Sequence, residues 1–395
     1  MRGLHVSAWL DAVARPGATS LAILFALATF HRALLITVLP LLALELLGDP
    51  QMVSLFYFGA SIFGVVGSLG VPWSVRRITR RRSLTAFLGI GILSLGLIGF
   101  GGTTGLLIGM PLFVLSQSAA EICLSLYIMD HVGRREISRF EPKRIFFAAG
   151  VWLIGPWLGV KLGEISGWLP FVVGIAGISA MLGFFWFLRL TEHPAVTAGP
   201  KRTPNPLRYF PRFFSQPRLR LAWILAFGRA AWWSTFFVYG PIYAIALGFE
   251  PATAGALISV GMGALLAARL WGRVSARWGL RRLLVGAYTG TGVVTILLAP
   301  AGEIAWVGAA LLVVSAFVAG AIDGAGNTPF LRAVRPLERP EMTTVFVTYR
   351  DAANLVPPGV YTMLLAVAPL PTVFVVAGGS LLVLARYALY LPKRM

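Results

Sequence analysis

Charge is scarce in this 395-residue chain: 12% of its residues are Asp, Glu, Lys or Arg, against 57% that are hydrophobic. A soluble protein carries about a quarter of its residues as charged groups. Most of this surface therefore has to face lipid. Acid is scarcer still, 15 Asp and Glu against 34 Lys and Arg, for a net charge of +19. A basic excess can mark a nucleic-acid partner. Here, however, the basic residues form short clusters between apolar runs, as in a polytopic membrane protein, and no nucleic acid is expected. The single cysteine, Cys123, excludes an internal disulfide framework and a cysteine-rich metal site. There are four histidines, and His5 and His193 lie in polar segments, so no metal, cofactor or enzyme activity is expected. No Gly-x-x-x-x-Gly-Lys-Ser/Thr loop occurs, which removes ATP as an energy source. The N-terminus lacks the apolar core and small-residue cleavage site of a signal peptide.

What the chain does have is long apolar runs. A helix needs about 20 such residues to cross the hydrocarbon core, and twelve stretches qualify: 20–47, 51–74, 84–101, 104–129, 145–163, 167–189, 220–247, 252–272, 283–300, 303–330, 344–367 and 370–391. Turn signals separate them, among them Gly48-Asp49-Pro50, where Asp49 suits a helix cap and Pro50 a first helical turn. All Lys and Arg except Arg32, Lys161, Arg229 and Arg350 fall in the termini and in the loops after even-numbered spans. By the positive-inside rule both termini are cytoplasmic.

The chain also repeats itself at an offset of 201 residues. "PLLALELLGDP" (40–50) lies over "PIYAIALGFEP" (241–251), and "SVRRITRR" (74–81) over "SARWGLRR" (275–282). Pro156 lies over Pro357. The expected fold is an all-α membrane protein with twelve transmembrane helices in two pseudo-symmetric six-helix bundles, 1–190 and 219–395. A cytoplasmic linker, 191–218, joins them. Such a plan places a transport site near mid-membrane.

The twelve spans, the six-plus-six repeat and "GRVSARWGLRR" (272–282) resemble the major facilitator superfamily. Its signature after the second helix, often repeated after the eighth, is of the Gly-x-x-x-Asp-Arg-x-Gly-x-Arg-Arg type. Gly272, Arg277, Gly279, Arg281 and Arg282 match it, with Ala276 where the acid is expected. In the first half Arg76, Arg80 and Arg81 remain, without the glycine or the acid. The resemblance implies that these residues belong to a cytoplasmic gate. "GVWLIGPWLG" (150–159) is similar to the glycine–proline motif of proton-linked exporters, through Gly155, Pro156 and Gly159. Packing of helices through small residues explains the same pattern.

His31 and Arg32 lie deep inside the first span. At about 1.5 Å per residue, Arg32 is roughly 18 Å from the cytoplasmic end, and Arg229, Glu121 and Asp323 are each at roughly 14 Å. Lipid cannot solvate such charges, so they face a cavity or a partner. The expected pairs are Arg32 with Glu121 and Arg229 with Asp323, with a structural ion pair as the alternative role. His31 points about 100° away from Arg32. It is as readily a packing histidine as a titrating one. Gln117 lies one turn from Glu121 and Asn327 one turn from Asp323. Trp232 and Trp233 are within stacking reach of Arg229. Arg350 and Asp351 lie near the cytoplasmic end and are assigned to the gate. The formal charges cancel, which favours a neutral, zwitterionic or lipophilic small-molecule substrate.

The sequence thus points to a secondary active transporter working by alternating access, with proton-coupled export as the leading mode. The alternatives are an importer or uniporter of the same fold and, in another class, a non-transporting receptor or scaffold. A monomer in a bacterial inner membrane is expected, with the proton as coupling ion.

Overall fold

The computed structural model describes residues 18–131, 137–188, 206–335 and 338–392. The domain boundary at 190 and most of the linker before Pro206 lie outside them. Among the described residues there is no strand.

Span one is two helices, α1 (Ala18–Leu35) and α2 (Val38–Leu47). The break at Ile36-Thr37 follows from Pro40, whose ring clashes with the carbonyl four residues earlier and which donates no hydrogen bond to it. Spans two to six are α3 (Pro50–Ile78), α4 (Arg80–Phe100), α5 (Gly102–His131), α6 (Ile137–Ile165) and α7 (Leu169–Phe187). A short helix, α8 (Pro206–Phe214), then precedes span seven, α9 (Pro217–Ala246). Span eight is α10 (Pro251–Met262) and α11 (Ala268–Trp278), joined by a 3-10 turn, with a 48° bend between its two segments. Span nine is α12 (Leu280–Leu297). Span ten divides into α13 (Ala305–Ala325) and α14 (Thr328–Ala333), span eleven into α15 (Arg339–Phe346) and α16 (Tyr349–Leu365), and span twelve is α17 (Pro371–Ala388). Proline at the first helical turn starts α9, α10 and α17, where its missing N–H costs nothing.

Among the described residues nine segments are long and apolar enough to cross a membrane, ten with the bent pair of span eight. Spans nine and eleven complete the twelve. The first opens on Arg281 and Arg282, and the second is interrupted at Val347-Thr348 and carries Arg350 and Asp351, so neither is an unbroken apolar run. Leu69, Trp306 and Met363 are about 70% exposed or more, which a lipid-facing surface requires.

The chain folds into two compact units. Of the described residues, the first contains 18–35, 62–131 and 137–188; the second contains 36–61, 206–335 and 338–392. In the first unit α1 packs on α6 and α7, and α4 on α5. Gly155 is required by close approach: a Cβ there would lie 2.9 Å from the Ala33 backbone. The glycine of the exporter-like pattern therefore has a packing role, the small-residue contact that membrane helices use in place of a hydrophobic driving force. In the second unit α9 packs on α16 and α17, and α12 on α13 and α17. Residues 36–61 join this unit through Ser54, 2.7 Å from the Tyr239 hydroxyl, and through Ser61, which donates to the Asn354 carbonyl at 2.9 Å.

The turn before α12 is made by Gly279 at φ 87°, ψ 148°, and the turn before α4 by Thr79 at φ 75°, ψ 155°. This region is open essentially to glycine alone. Thr79 thus occupies, under strain, the place its repeat gives to the signature glycine. The sequence offset of 201 conceals this, because the two turns are 200 residues apart.

Candidate transport pathway

In the first unit Arg32 comes from α1 and Glu121 from the middle of α5, and an Arg32 nitrogen is 3.6 Å from Glu121 Oε2. Both side chains are close to half exposed, 44% and 45%. The guanidinium carbon of Arg32 also lies 5.9 Å from the ring centre of Trp152 on α6, within cation–π range. His31 is turned away from this pair. It is 2% exposed, its ring edge-on to Phe113 at 6.1 Å. Gln117 and the Leu27 carbonyl are its polar neighbours. His31 Nδ1 and Gln117 Nε2 are nevertheless buried without a close hydrogen bond among the described residues.

The second unit holds its charges differently. Arg229 Nε is 3.5 Å from Asp323 Oδ1, with side-chain exposures of 12% and 30%. The other carboxylate oxygen accepts from Trp233 Nε1 at 2.6 Å. Arg229 Nη2 donates to Asn327 Oδ1 at 3.1 Å and to the Tyr349 hydroxyl at 3.3 Å. The break in span ten is part of this arrangement. α13 ends at Ala325, Gly326 takes φ 53°, and Asn327 lies between the two helices. A helix C-terminus carries about half a negative charge, so the end of α13 and the Asp323 carboxylate together favour a cation here. Arg229 is that cation. A small cleft opens beside Arg229 and Asn327, walled by Leu225, Tyr288, Phe330 and Phe346.

Adjacent positions have different fates. One residue is 100° of helix, so Trp233 reaches Asp323 while Trp232, 4% exposed, donates to Thr295 Oγ1 at 3.0 Å and stacks on Phe236. The structure therefore brings together Arg32 with Glu121, and Arg229, Trp233, Asp323 and Asn327, while Trp232 and His31 sit in the packing behind them. Trp152 and Tyr349 were not identified from sequence. An aromatic residue in a membrane helix reads as packing or interface, and nothing in local spacing ties either to a charge far along the chain.

Of the residues expected at the gate, Arg81 lies 3.7 Å over the ring of Trp186, whose Nε1 donates to Thr85 Oγ1 at 3.2 Å. Arg80 and Arg281 are half-buried; Gly272, Arg277 and Arg282 are exposed. The Arg76 side chain lies outside the described residues. Arg350 Nε donates to the Tyr349 hydroxyl at 3.3 Å, beside Asp351 at the start of α16. No group of three or more His, Cys, Asp or Glu able to hold a metal occurs among the described residues.

No curated protein matches the chain in sequence. Among solved structures, it is similar in fold to the nucleoside transporter NupG, at a TM-score of 0.74 and 17% identity over 94% of this chain and 98% of that one. A POT family transporter crystallised with 5-aminolevulinic acid gives 0.78 at 13% identity, over 95% and 96%. The family model of the Major Facilitator Superfamily matches residues 144–358. That match spans more than half of the chain, and the described helices fit the layout of this transporter fold: the chain belongs to the Major Facilitator Superfamily and is a membrane transporter of small molecules.

Proposed function

We propose that this transporter moves a small zwitterionic or neutral polar solute by alternating access, coupled to protons, with Glu121 as the proton carrier and Arg32 as its cationic partner. The observation that carries this reading is the contrast between the two charge pairs. Arg229 and Asp323 are closed in, their side chains 12% and 30% exposed. Arg32 and Glu121 stand 3.6 Å apart with nearly half of each side chain open. An open pair can exchange partners with a solute carrying both charges, the carboxylate going to Arg32 and the cation to Glu121. Asp323 is the second candidate carrier. The glycine–proline pattern favours export. The positive-inside distribution favours cytoplasmic termini, and a monomer in a bacterial inner membrane is the proposed form. The nucleoside and 5-aminolevulinic acid named for the two similar structures supply the first compounds to try.

The experiment is flux in proteoliposomes with uridine, adenosine, 5-aminolevulinic acid and dialanine, with and without an imposed pH gradient. Glu121→Gln keeps size and hydrogen bonding but cannot ionise. It is expected to abolish accumulation driven by the gradient for every compound, to spare exchange of uridine and adenosine, and to weaken exchange of 5-aminolevulinic acid and dialanine, whose ammonium groups lose their partner. Undiminished pH-driven accumulation in Glu121→Gln, Asp323→Asn and the double variant would leave a uniporter as the better reading.

A further inference from the structure

The Tyr349 hydroxyl is the acceptor that two cations share. Arg229 Nη2 reaches it from α9 and Arg350 Nε from its own helix, each at 3.3 Å. Both guanidinium carbons are also 5.9 Å from the centre of its ring. A guanidinium has five donors and no acceptor, so two arginines cannot bond to each other, and a neutral oxygen between them gives each a partner. The ring that carries this oxygen is itself fixed. Tyr349 is 4% exposed and tilts against Phe346 at 5.2 Å, and Phe346 stacks on Phe330 at 4.0 Å. Phe330 belongs to α14, the piece of span ten just past the break. Phe213 of the linker helix α8 is buried in the same cluster, and Arg212 of α8 is ion-paired to Glu338.

We propose that Tyr349 is a positioning residue of the transport pathway: its hydroxyl holds the Arg229 guanidinium where it reaches Asp323 and Asn327 together, and thereby pins the break in span ten. Without the hydroxyl, Nη2 keeps only Asn327 of the two, and the long Arg229 side chain gains freedom to swing. The linker helix, through Phe213 and the aromatic stack, then acts on the central ion pair by the same route. This rests on the reading of Arg229 and Asp323 as part of the pathway.

Tyr349→Phe retains the ring and its packing and removes only the acceptor. Hydrogen exchange of the purified protein should show amides of 324–331 exchanging about tenfold faster in Tyr349→Phe, with 339–346 unchanged. Arg229→Lys, which loses the Asn327 bond as well, should do at least as much, and the double variant should go no further than Arg229→Lys alone, since residues acting through one contact are not additive. Exchange over 324–331 equal to wild type in Tyr349→Phe, or effects that multiply in the double variant, would overturn the proposal. In counterflow with uridine and 5-aminolevulinic acid, Tyr349→Phe should raise KM at least fivefold with Vmax within twofold. An unchanged KM also overturns it. If the wild type moves neither compound, that counts against the substrates proposed above, and the exchange measurement alone decides the role of Tyr349.

Discussion

Arg229→Met should destabilise the protein far more than Arg32→Met, although both take a cation from a carboxylate at nearly the same distance. At 3.5 Å and an effective dielectric constant of about 20, two unit charges attract by about 5 kcal/mol. At 3.6 Å with both side chains nearly half open, water screening brings that down to about 1 kcal/mol. Removing Arg229 leaves the Asp323 carboxylate unpaired, which costs about 3–5 kcal/mol for a buried ion. Trp233 still donates to Oδ2, which places the expectation at the lower end, about 3 kcal/mol. Arg32→Met should cost about 1 kcal/mol or less. Asp323→Asn added to Arg229→Met removes the orphaned charge, and the pair should return to within about 1 kcal/mol of wild type, as replacing both partners of a buried pair commonly does. The assay is unfolding of the purified protein in mixed micelles titrated with sodium dodecyl sulfate, followed by circular dichroism. An Arg229→Met variant no less stable than Arg32→Met would refute the reasoning, and so would a double variant no more stable than Arg229→Met alone.

Thr79→Gly should raise stability in the same assay by about 1–3 kcal/mol, the cost of holding a β-branched residue in backbone space that only glycine enters freely; since Thr79 is exposed, no packing is lost, and an unchanged or lower stability would show that the turn is not strained. For orientation, cysteine introduced at Asp49 or Glu303 in a Cys123→Ser background should react in intact cells with an impermeant maleimide, and cysteine at Asn205 should not. The reverse pattern would place the termini outside. For charge at the open pair, Arg32→Lys should retain measurable flux where Arg32→Met loses at least tenfold; equal activity of the two would mean that side-chain volume and not charge matters there.

Much of the fold was legible because membrane insertion imposes local rules. Every backbone group must be satisfied within its own helix, so an apolar run of sufficient length is a span, and Pro50 marks a start that the structure uses. Depth along a helix is equally local, and counting residues was enough to nominate Arg32, Glu121, Arg229 and Asp323 and to pair them as the structure does. The signature glycine Gly279 was legible as a motif, but the same backbone shape at Thr79 was not, because a threonine gives no local sign of a left-handed turn. The break in span ten was also hidden, since Gly326-Asn327 inside an apolar run resembles many intact helices.

The chain by itself determined which stretches are helical and which of them carry charge, because those properties depend on neighbours within a turn or two. Tertiary structure decided how each charge is held. Trp232 and Trp233 are consecutive, yet one bonds to Thr295 and the other to Asp323. Arg32 remains open, while Arg229 is enclosed by Asp323, Asn327 and Tyr349. Burial and hydrogen-bond partners come from helices about 90 to 120 residues away in sequence, and only packing brings those side chains within the 3 Å or so at which a polar group in a membrane finds its partner.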